Sequence, residues 1–247
     1  MSVKNVRICN SNTIKFLAAA LMVIDHVGLL FFSNIPLFRY IGRVSMPLFA
    51  FAISEGCRYT KNKTKHFALL FGLALLCQIV YYVAMHSLYM CILVTFSLSV
   101  LTIYALQNFK KSLLEKGTLQ QKILSGSVFA VVVFLVWRFC NTFEVDYGFW
   151  GCMLPVFASV FDFRGIENVP DSLKKWDCLP VRVVCMGVGL LLLCFSYYPS
   201  IAPFFALFSL PILLLYNGEK GKWNTKYFFY IFYPAHLVLL QVLAWIL

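Results

Sequence analysis

The sequence predicts an all-α fold, a polytopic transmembrane bundle of about nine spans, with eight to ten allowed. Three observations predict it. The 247-residue chain is 61% hydrophobic and only 13% charged, with a mean hydropathy of +0.81. Soluble domains run at about 45–50% apolar and about 25% charged. Apolar runs near the roughly 20 residues of a bilayer crossing recur along the whole chain. The basic residues gather between alternate runs, as cytoplasmic loops require. A chain this apolar has too little polar surface to coat a water-exposed globule, so its main solvent is lipid. Aromatics, 17% of the chain, suit lipid-facing surface and interfacial belts.

Taken in order, the first run, Ile14–Phe32, is too long for a cleaved leader and carries Asp25 and His26, so it reads as a retained helix. The second, Pro36–Cys57, is interrupted by Arg39, Arg43, Pro47 and Glu55. Phe67–His86, Tyr89–Asn108 and Ile123–Phe139 follow, then the short Gly148–Phe163. Val181–Tyr198, Ile201–Tyr216 and Tyr227–Leu247 complete the set. No polar stretch is long enough for a second domain, so residues 1–247 read as a single membrane domain.

Charge tests this order. With the N-terminus inside, the cytoplasmic segments are Met1–Lys15, Arg58–His66, Asn108–Lys122, Arg164–Arg182 and Asn217–Lys226. They hold all but Arg39, Arg43 and Arg138 of the 21 basic residues. The C-terminus then lies outside. The mixed charges of Phe163–Pro180 (Asp162 just before it, then Arg164, Glu167, Asp171, Lys174, Lys175 and Asp177) read as a solvated loop. The net charge of +11 is thus an orientation signal and not a nucleic-acid footprint. Nine cysteines show no CxxC pair and mostly sit in or beside apolar runs. They read as small buried hydrophobes, with no metal site expected.

Ionisable residues at membrane depth carry the functional signal. A charge at the bilayer centre costs at least roughly 2.5–3.5 kcal/mol, so such residues need partners and mark function. Asp25 and His26 lie about 16 Å along the first helix from Lys15, near the midplane, and His236 lies at similar depth in the last. An imidazole with a carboxylate nearby is the usual general-base arrangement. Adjacent helical residues point about 100° apart, so Asp25 need not touch His26 and can pair with an Arg of the next helix. The competing reading is an interhelical network of Asp25, His26 and Arg43 that only holds the bundle together.

Arg39 and Arg43 share a helical face at i, i+4. Arg39 reads as an interfacial anchor that snorkels to water. Glu55 precedes Arg58 at i+3, a spacing that permits an ion pair. Arg43 and Glu55 lie inside the apolar run and can meet an anionic or proton-carrying substrate. The carboxylates of Glu144-Val145-Asp146-Tyr147-Gly148, at an outer mouth, suit an amine, and a hydrated loop is the alternative. The basic glycine turn Tyr216-Asn217-Gly218-Glu219-Lys220-Gly221-Lys222 can hold phosphates through backbone N–H groups and lysines, although it lacks P-loop spacing.

Read together, several strings resemble the TraX family, membrane proteins that acetylate the N-terminus of conjugative pilin. They are Ile24-Asp25-His26-Val27-Gly28; Ile41-Gly42-Arg43 with Met46-Pro47-Leu48-Phe49-Ala50-Phe51; Glu55-Gly56-Cys57-Arg58-Tyr59-Thr60; Asp146-Tyr147-Gly148; Tyr216-Asn217-Gly218; and Phe229-Tyr230-Ile231-Phe232-Tyr233-Pro234-Ala235-His236-Leu237. They run in order over nearly the whole chain. Cys57 and Ser45 depart from the larger or more apolar residues expected there. The resemblance implies a bacterial inner-membrane acyltransferase that uses cytoplasmic acetyl-CoA, with no metal. It implies His26, His236 and Asp25 as catalytic residues. Arg43, Glu55, Arg58, Asp146, Tyr147, Asn217, Lys220 and Tyr233 would serve substrate or acetyl-CoA binding. The implied partners are membrane lipids and an amine or hydroxyl acceptor, either a pilin-like peptide or an envelope glycan.

Two other classes stay open. A proton-coupled transporter or flippase would use Asp25, Glu55 and the two histidines as proton carriers, although no inverted repeat supports it. A structural scaffold would tolerate changes at both histidines.

Overall fold

The computed structural model describes residues 8–246 except 116 and 224. Lys4, Arg7 and Lys116, assigned above to cytoplasmic segments, lie outside the described residues. The architecture is helical: α1 (Ser11–Leu30), α2 (Pro36–Gly42), α3 (Ser45–Tyr59), α4 (Lys63–Met85), α5 (Ile92–Leu114), α6 (Leu119–Thr142), α7 (Gly148–Phe157), α8 (Asp171–Lys174) and α9 (Leu179–Ser196). A 3₁₀ helix (Ala202–Phe208), α10 (Ser209–Leu214) and α11 (Lys226–Ile246) follow. Among the described residues, six helical stretches are long and apolar enough to cross a membrane: Ser11–Leu30, Lys63–Val83, Ile92–Leu114, Leu119–Thr142, Leu179–Ser196 and Phe228–Ile246. All six fall on expected runs.

The other three expected spans are not continuous helices of crossing length. Pro36–Cys57 is divided into α2 and α3 by a turn at Arg43 and Val44. Pro47 then sits in the first turn of α3, where a helix has no use for its missing N–H. Gly148–Phe163 yields only the 10 residues of α7, a rise of about 15 Å. Ile201–Tyr216 becomes a 3₁₀ helix followed by the 6 residues of α10, with Pro203 and Pro211 set in the path.

Helix starts follow local chemistry. The Asn10 side chain accepts from the Thr13 N–H at the head of α1, and Asn62 accepts from Lys65 at the head of α4. Thr118 and Gln121 form a capping box on α6.

The chain forms two compact units. One comprises the residues up to Ala52 together with those from Leu190 onward. In it α1 packs on α2 and on α11. The α1–α2 approach is close enough that a Cβ on Gly28 would overlap Phe38, and one on Gly42 would overlap Asp25. Ser45 donates to the Ala18 carbonyl at 2.7 Å, and Tyr40 stacks on Phe205 at 4.3 Å. The N-terminus of α1 is tied to the turn before α11. Cys9 N–H donates to Leu215 O, Asn217 N–H to Cys9 O, and Ser11 N–H to Glu219 O.

The second unit runs from Ile53 to Gly189. Here α5 packs on α4, α6 and α7 and is the central helix. Its buried face carries hydroxyls that bond the backbone of α7 and of the turn before it: Ser99 Oγ reaches Cys152 O at 2.7 Å and Thr95 Oγ1 reaches Asp146 O at 2.8 Å. Lys110, read from sequence as part of a cytoplasmic loop, is instead inside α5 and buried. Its ammonium donates to the carbonyls of Ser159 (2.8 Å), Val160 (3.2 Å) and Asp162 (2.6 Å). That collects the backbone acceptors left where α7 stops.

The Gly42 contact yields the first prediction. Gly42→Ala forces α1 and α2 apart and lowers stability by about 1–3 kcal/mol. Thermal unfolding of the detergent-solubilised protein reads this as a reduced Tm, whereas the same change at Gly72, which has open space around it, leaves Tm within error.

Candidate functional site

In the first unit the site is built by α1, α2 and α11. Asp25 and His26 are neighbours on α1, and their side chains diverge as helical geometry dictates. Asp25 turns to α2, where its Oδ2 accepts from Arg39 at 2.7 Å. His26 turns to α11, where its ring lies edge-on to His236 with centroids 5.1 Å apart and planes at 66°.

Both imidazoles are held in the same way. His26 Nδ1 lies 2.8 Å from Met22 O, and His236 Nδ1 lies 3.0 Å from Phe232 O. A carbonyl only accepts, so Nδ1 carries the proton in each ring. The neutral tautomer then leaves a lone pair on both Nε2 atoms. Phe232 stacks on His236 at 5.1 Å and 12°, and Tyr233 meets its edge at 5.6 Å, which fixes the ring's orientation. His236 is 6% exposed. Its Nε2 and Asp25 Oδ1 are buried and meet no hydrogen-bond partner among the described residues. Orphaned buried acceptors are rare in folded proteins and point to chemistry or a ligand.

A second cluster belongs to the other unit. Arg182 of α9 donates to Glu55 Oε1 at 2.5 Å, to Ser54 Oγ at 3.1 Å and to Ala158 O at 3.0 Å. The Arg182 and Glu55 side chains are 5% and 6% exposed. Arg58 bridges Asp177 at 2.6 Å and Asp162 at 3.0 Å. The outer turn is ordered too: Tyr89 OH donates to Asp146 Oδ1 at 2.7 Å, and backbone bonds join Met90 to Glu144 and Asp146. Tyr147 takes the left-handed conformation, φ 60°, just ahead of α7.

With this geometry in hand, comparison with known proteins is informative. The TraX family profile, described as "TraX protein", matches residues 10–244. The chain belongs to the TraX family. It is also 24% identical over 242 residues, 92% of each chain, to a "Probable fimbrial assembly protein FimC, serogroup H1" of Dichelobacter nodosus. No solved structure matches it.

Against this TraX fold the expected site residues divide. Asp25, His26, His236 and Tyr233 come together in one place. Arg43 occupies the turn between α2 and α3, half-buried, four residues beyond Arg39. Asn217 and exposed Lys220 lie on the turn tied to the start of α1. Asn217 is engaged locally, accepting the Glu219 N–H at 2.9 Å. The rise from Ser11 to His26 is about 22 Å, so this turn lies well away along α1 from the imidazole pair. Glu55 and Arg58 belong to the ion cluster, and Asp146 and Tyr147 to the outer turn.

Several expectations are corrected. Arg39 of the next helix is the partner of Asp25, the pairing the sequence allowed, and not the snorkelling anchor it was expected to be, because a carboxylate in the helix seam draws the nearest cation. The salt bridge of Glu55 is to Arg182, and those of Arg58 are to Asp162 and Asp177, rather than the i+3 pair. Asp162 and Asp177 therefore belong to a packed ion cluster, and the stretch from Phe163 to Pro180 is not wholly a solvated loop. Arg182, Asp162 and Asp177 are not legible as a set in the sequence because they are far from Glu55 and Arg58 along the chain. The need of two intramembrane-run charges for partners was the one available signal.

The cluster makes a direct prediction. Arg182→Ala leaves Glu55 buried without its main countercharge and costs roughly 3–5 kcal/mol. Denaturant or thermal unfolding checks it, and the double variant Arg182→Met, Glu55→Met recovers most of the loss.

Proposed function

We propose that this TraX protein is a membrane acetyltransferase that moves an acetyl group from cytoplasmic acetyl-CoA to an amine or hydroxyl acceptor. The observation that carries this reading is the His26–His236 pair, with both Nδ1 atoms committed to backbone carbonyls and the buried His236 Nε2 without a hydrogen-bond partner among the described residues. A pair prepared to take protons inside a lipid-facing bundle has little value as packing. Family membership and the fimbrial-assembly relative favour a pilin-like N-terminus as acceptor, and an envelope glycan fits the same chemistry.

In this mechanism His26 Nε2, on the less enclosed of the two rings, takes the proton from the acceptor as that group attacks the thioester carbonyl. Asp25, paired with Arg39, supplies the countercharge for the imidazolium. Arg43 steadies the oxyanion of the tetrahedral intermediate. Collapse breaks the C–S bond, and the departing CoA thiolate recovers the proton from His26. His236 holds the neighbouring wall and offers a second lone pair, which also permits transfer through an acetyl-histidine. Lys220, in the unit that carries the imidazole pair, is the phosphate-binding candidate.

We place the protein in the bacterial inner membrane with nine crossings, the N-terminus cytoplasmic and the C-terminus outside. If only the six long helices crossed, the basic segments 58–66, 108–122 and 217–226 would fall on the side opposite to 164–182, against the positive-inside bias. Crossing by the interrupted segments 36–59, 148–163 and 201–216 as well restores one basic face.

Two measurements test this. Protein in nanodiscs, given acetyl-CoA with a pilin-like peptide bearing a free N-terminal amine or with an oligosaccharide, releases free CoA and acetylates the acceptor. His26→Ala lowers the rate by about 10²–10⁴-fold with normal Tm, and His236→Ala also impairs it. Full turnover in folded His26→Ala protein overturns the assignment, and no acetyl-CoA binding at all favours the transporter. For topology, exposed Cys178 in the Arg164–Arg182 segment resists a membrane-impermeant maleimide in intact cells and reacts after permeabilisation. Labelling in intact cells would reverse the orientation.

A further inference from the structure

We propose that Cys140 and Cys152 are a redox-active pair that closes to an intrachain disulfide when the protein meets an external disulfide. Cys140 lies in the last turn of α6 and Cys152 in the second turn of α7, and their sulfurs are 3.7 Å apart. Both are free thiols. Sulfurs at that distance are already in van der Waals contact, and a side-chain rotation covers the rest of the approach to a bond of about 2.05 Å.

Their exposures differ in the way a two-step exchange requires. Cys140 is half-buried and Cys152 is 0% exposed. An external disulfide can therefore reach only Cys140. The Cys140 thiolate attacks one sulfur of the oxidant RSSR, forming a Cys140–SR mixed disulfide and releasing the first RSH. The Cys152 thiolate, already against Cys140 Sγ, then attacks that sulfur and expels the second RSH. Two electrons pass to the oxidant, and the two cysteine protons end on the two departing thiols.

The bond pins the end of α6 to α7 across the turn that holds Glu144, Asp146 and Tyr147. That turn is already braced by Tyr89 and by the backbone bonds from Met90, so the bridge would make its base covalent. On the topology proposed above, the pair faces the outer side, where disulfides persist. The bond itself does not depend on that reading or on acetyl transfer.

The test uses the full chain in nanodiscs, titrated with oxidised glutathione and mapped by peptide mass spectrometry. Exposed Cys178 is the internal control for oxidant access. The expected result is a Cys140–Cys152 cross-linked peptide that rises from near zero to the majority of the protein and is reversed by dithiothreitol. Cys152→Ser should then trap a glutathione adduct on Cys140, while Cys140→Ser leaves Cys152 unmodified. The proposal fails if Cys178 is glutathionylated while Cys140 and Cys152 stay free. It also fails if either cysteine cross-links elsewhere, or if Cys140→Ser leaves Cys152 as reactive as Cys140 had been.

Discussion

In a bilayer a charge has no water to turn to, and the buried ions Glu55, Lys110, Asp162 and Arg182 are each met by another ion, a hydroxyl or a backbone carbonyl. That constraint shapes both units. Asp25 inside the α1–α2 seam draws Arg39 and is accommodated only because position 42 is a glycine. Glu55 draws Arg182 across more than a hundred residues of sequence, and Arg58 draws Asp162 and Asp177. Lys110 finds three carbonyls. Buried pairs of this kind contribute little net stability over an apolar core, but removing one partner is costly. They act as registry devices, specifying which helix ends meet.

The histidines stand out against this background. Each satisfies one nitrogen on its own helix, so neither needs a neighbour to be stable, and yet the two rings are brought edge to face. The pattern leaves acceptor atoms uncommitted at the one place where Asp25 also keeps an oxygen without a hydrogen-bond partner. Among the described residues, the other buried polar atoms without a hydrogen-bond partner are donors or a hydroxyl, Arg43 Nε, Arg58 Nε and Ser209 Oγ, so the acceptors left open are those of Asp25 and His236. The unsatisfied ones concentrate meaning, because their desolvation has no visible return other than chemistry or a ligand.

The interrupted segments serve the same end. Backbone that leaves the helical ladder within an apolar bundle must be satisfied by protein. Lys110 does this where α7 ends, and the turn at Arg43 and Val44 places a cation beside irregular backbone. Broken helices are therefore a means of delivering polar groups into the bundle.

What the sequence determined by itself was whatever depends on composition and local period. The helical membrane class, the six long apolar helices, and Asp25, His26 and His236 as the residues to watch all followed from the cost of polarity in lipid. Local strings also sufficed for the family. Pairing was beyond it. The sequence allowed Asp25 an Arg of the next helix but could not choose between Arg39 and Arg43, which share a helical face. Arg182 read as loop charge because its partner lies 127 residues away. Three expected spans came apart because proline and glycine positions bias a helix without stating whether the surrounding protein will satisfy the break. Only the tertiary structure decided which charges meet and which nitrogen of each imidazole stays open, since those depend on distances between helices that no local pattern encodes.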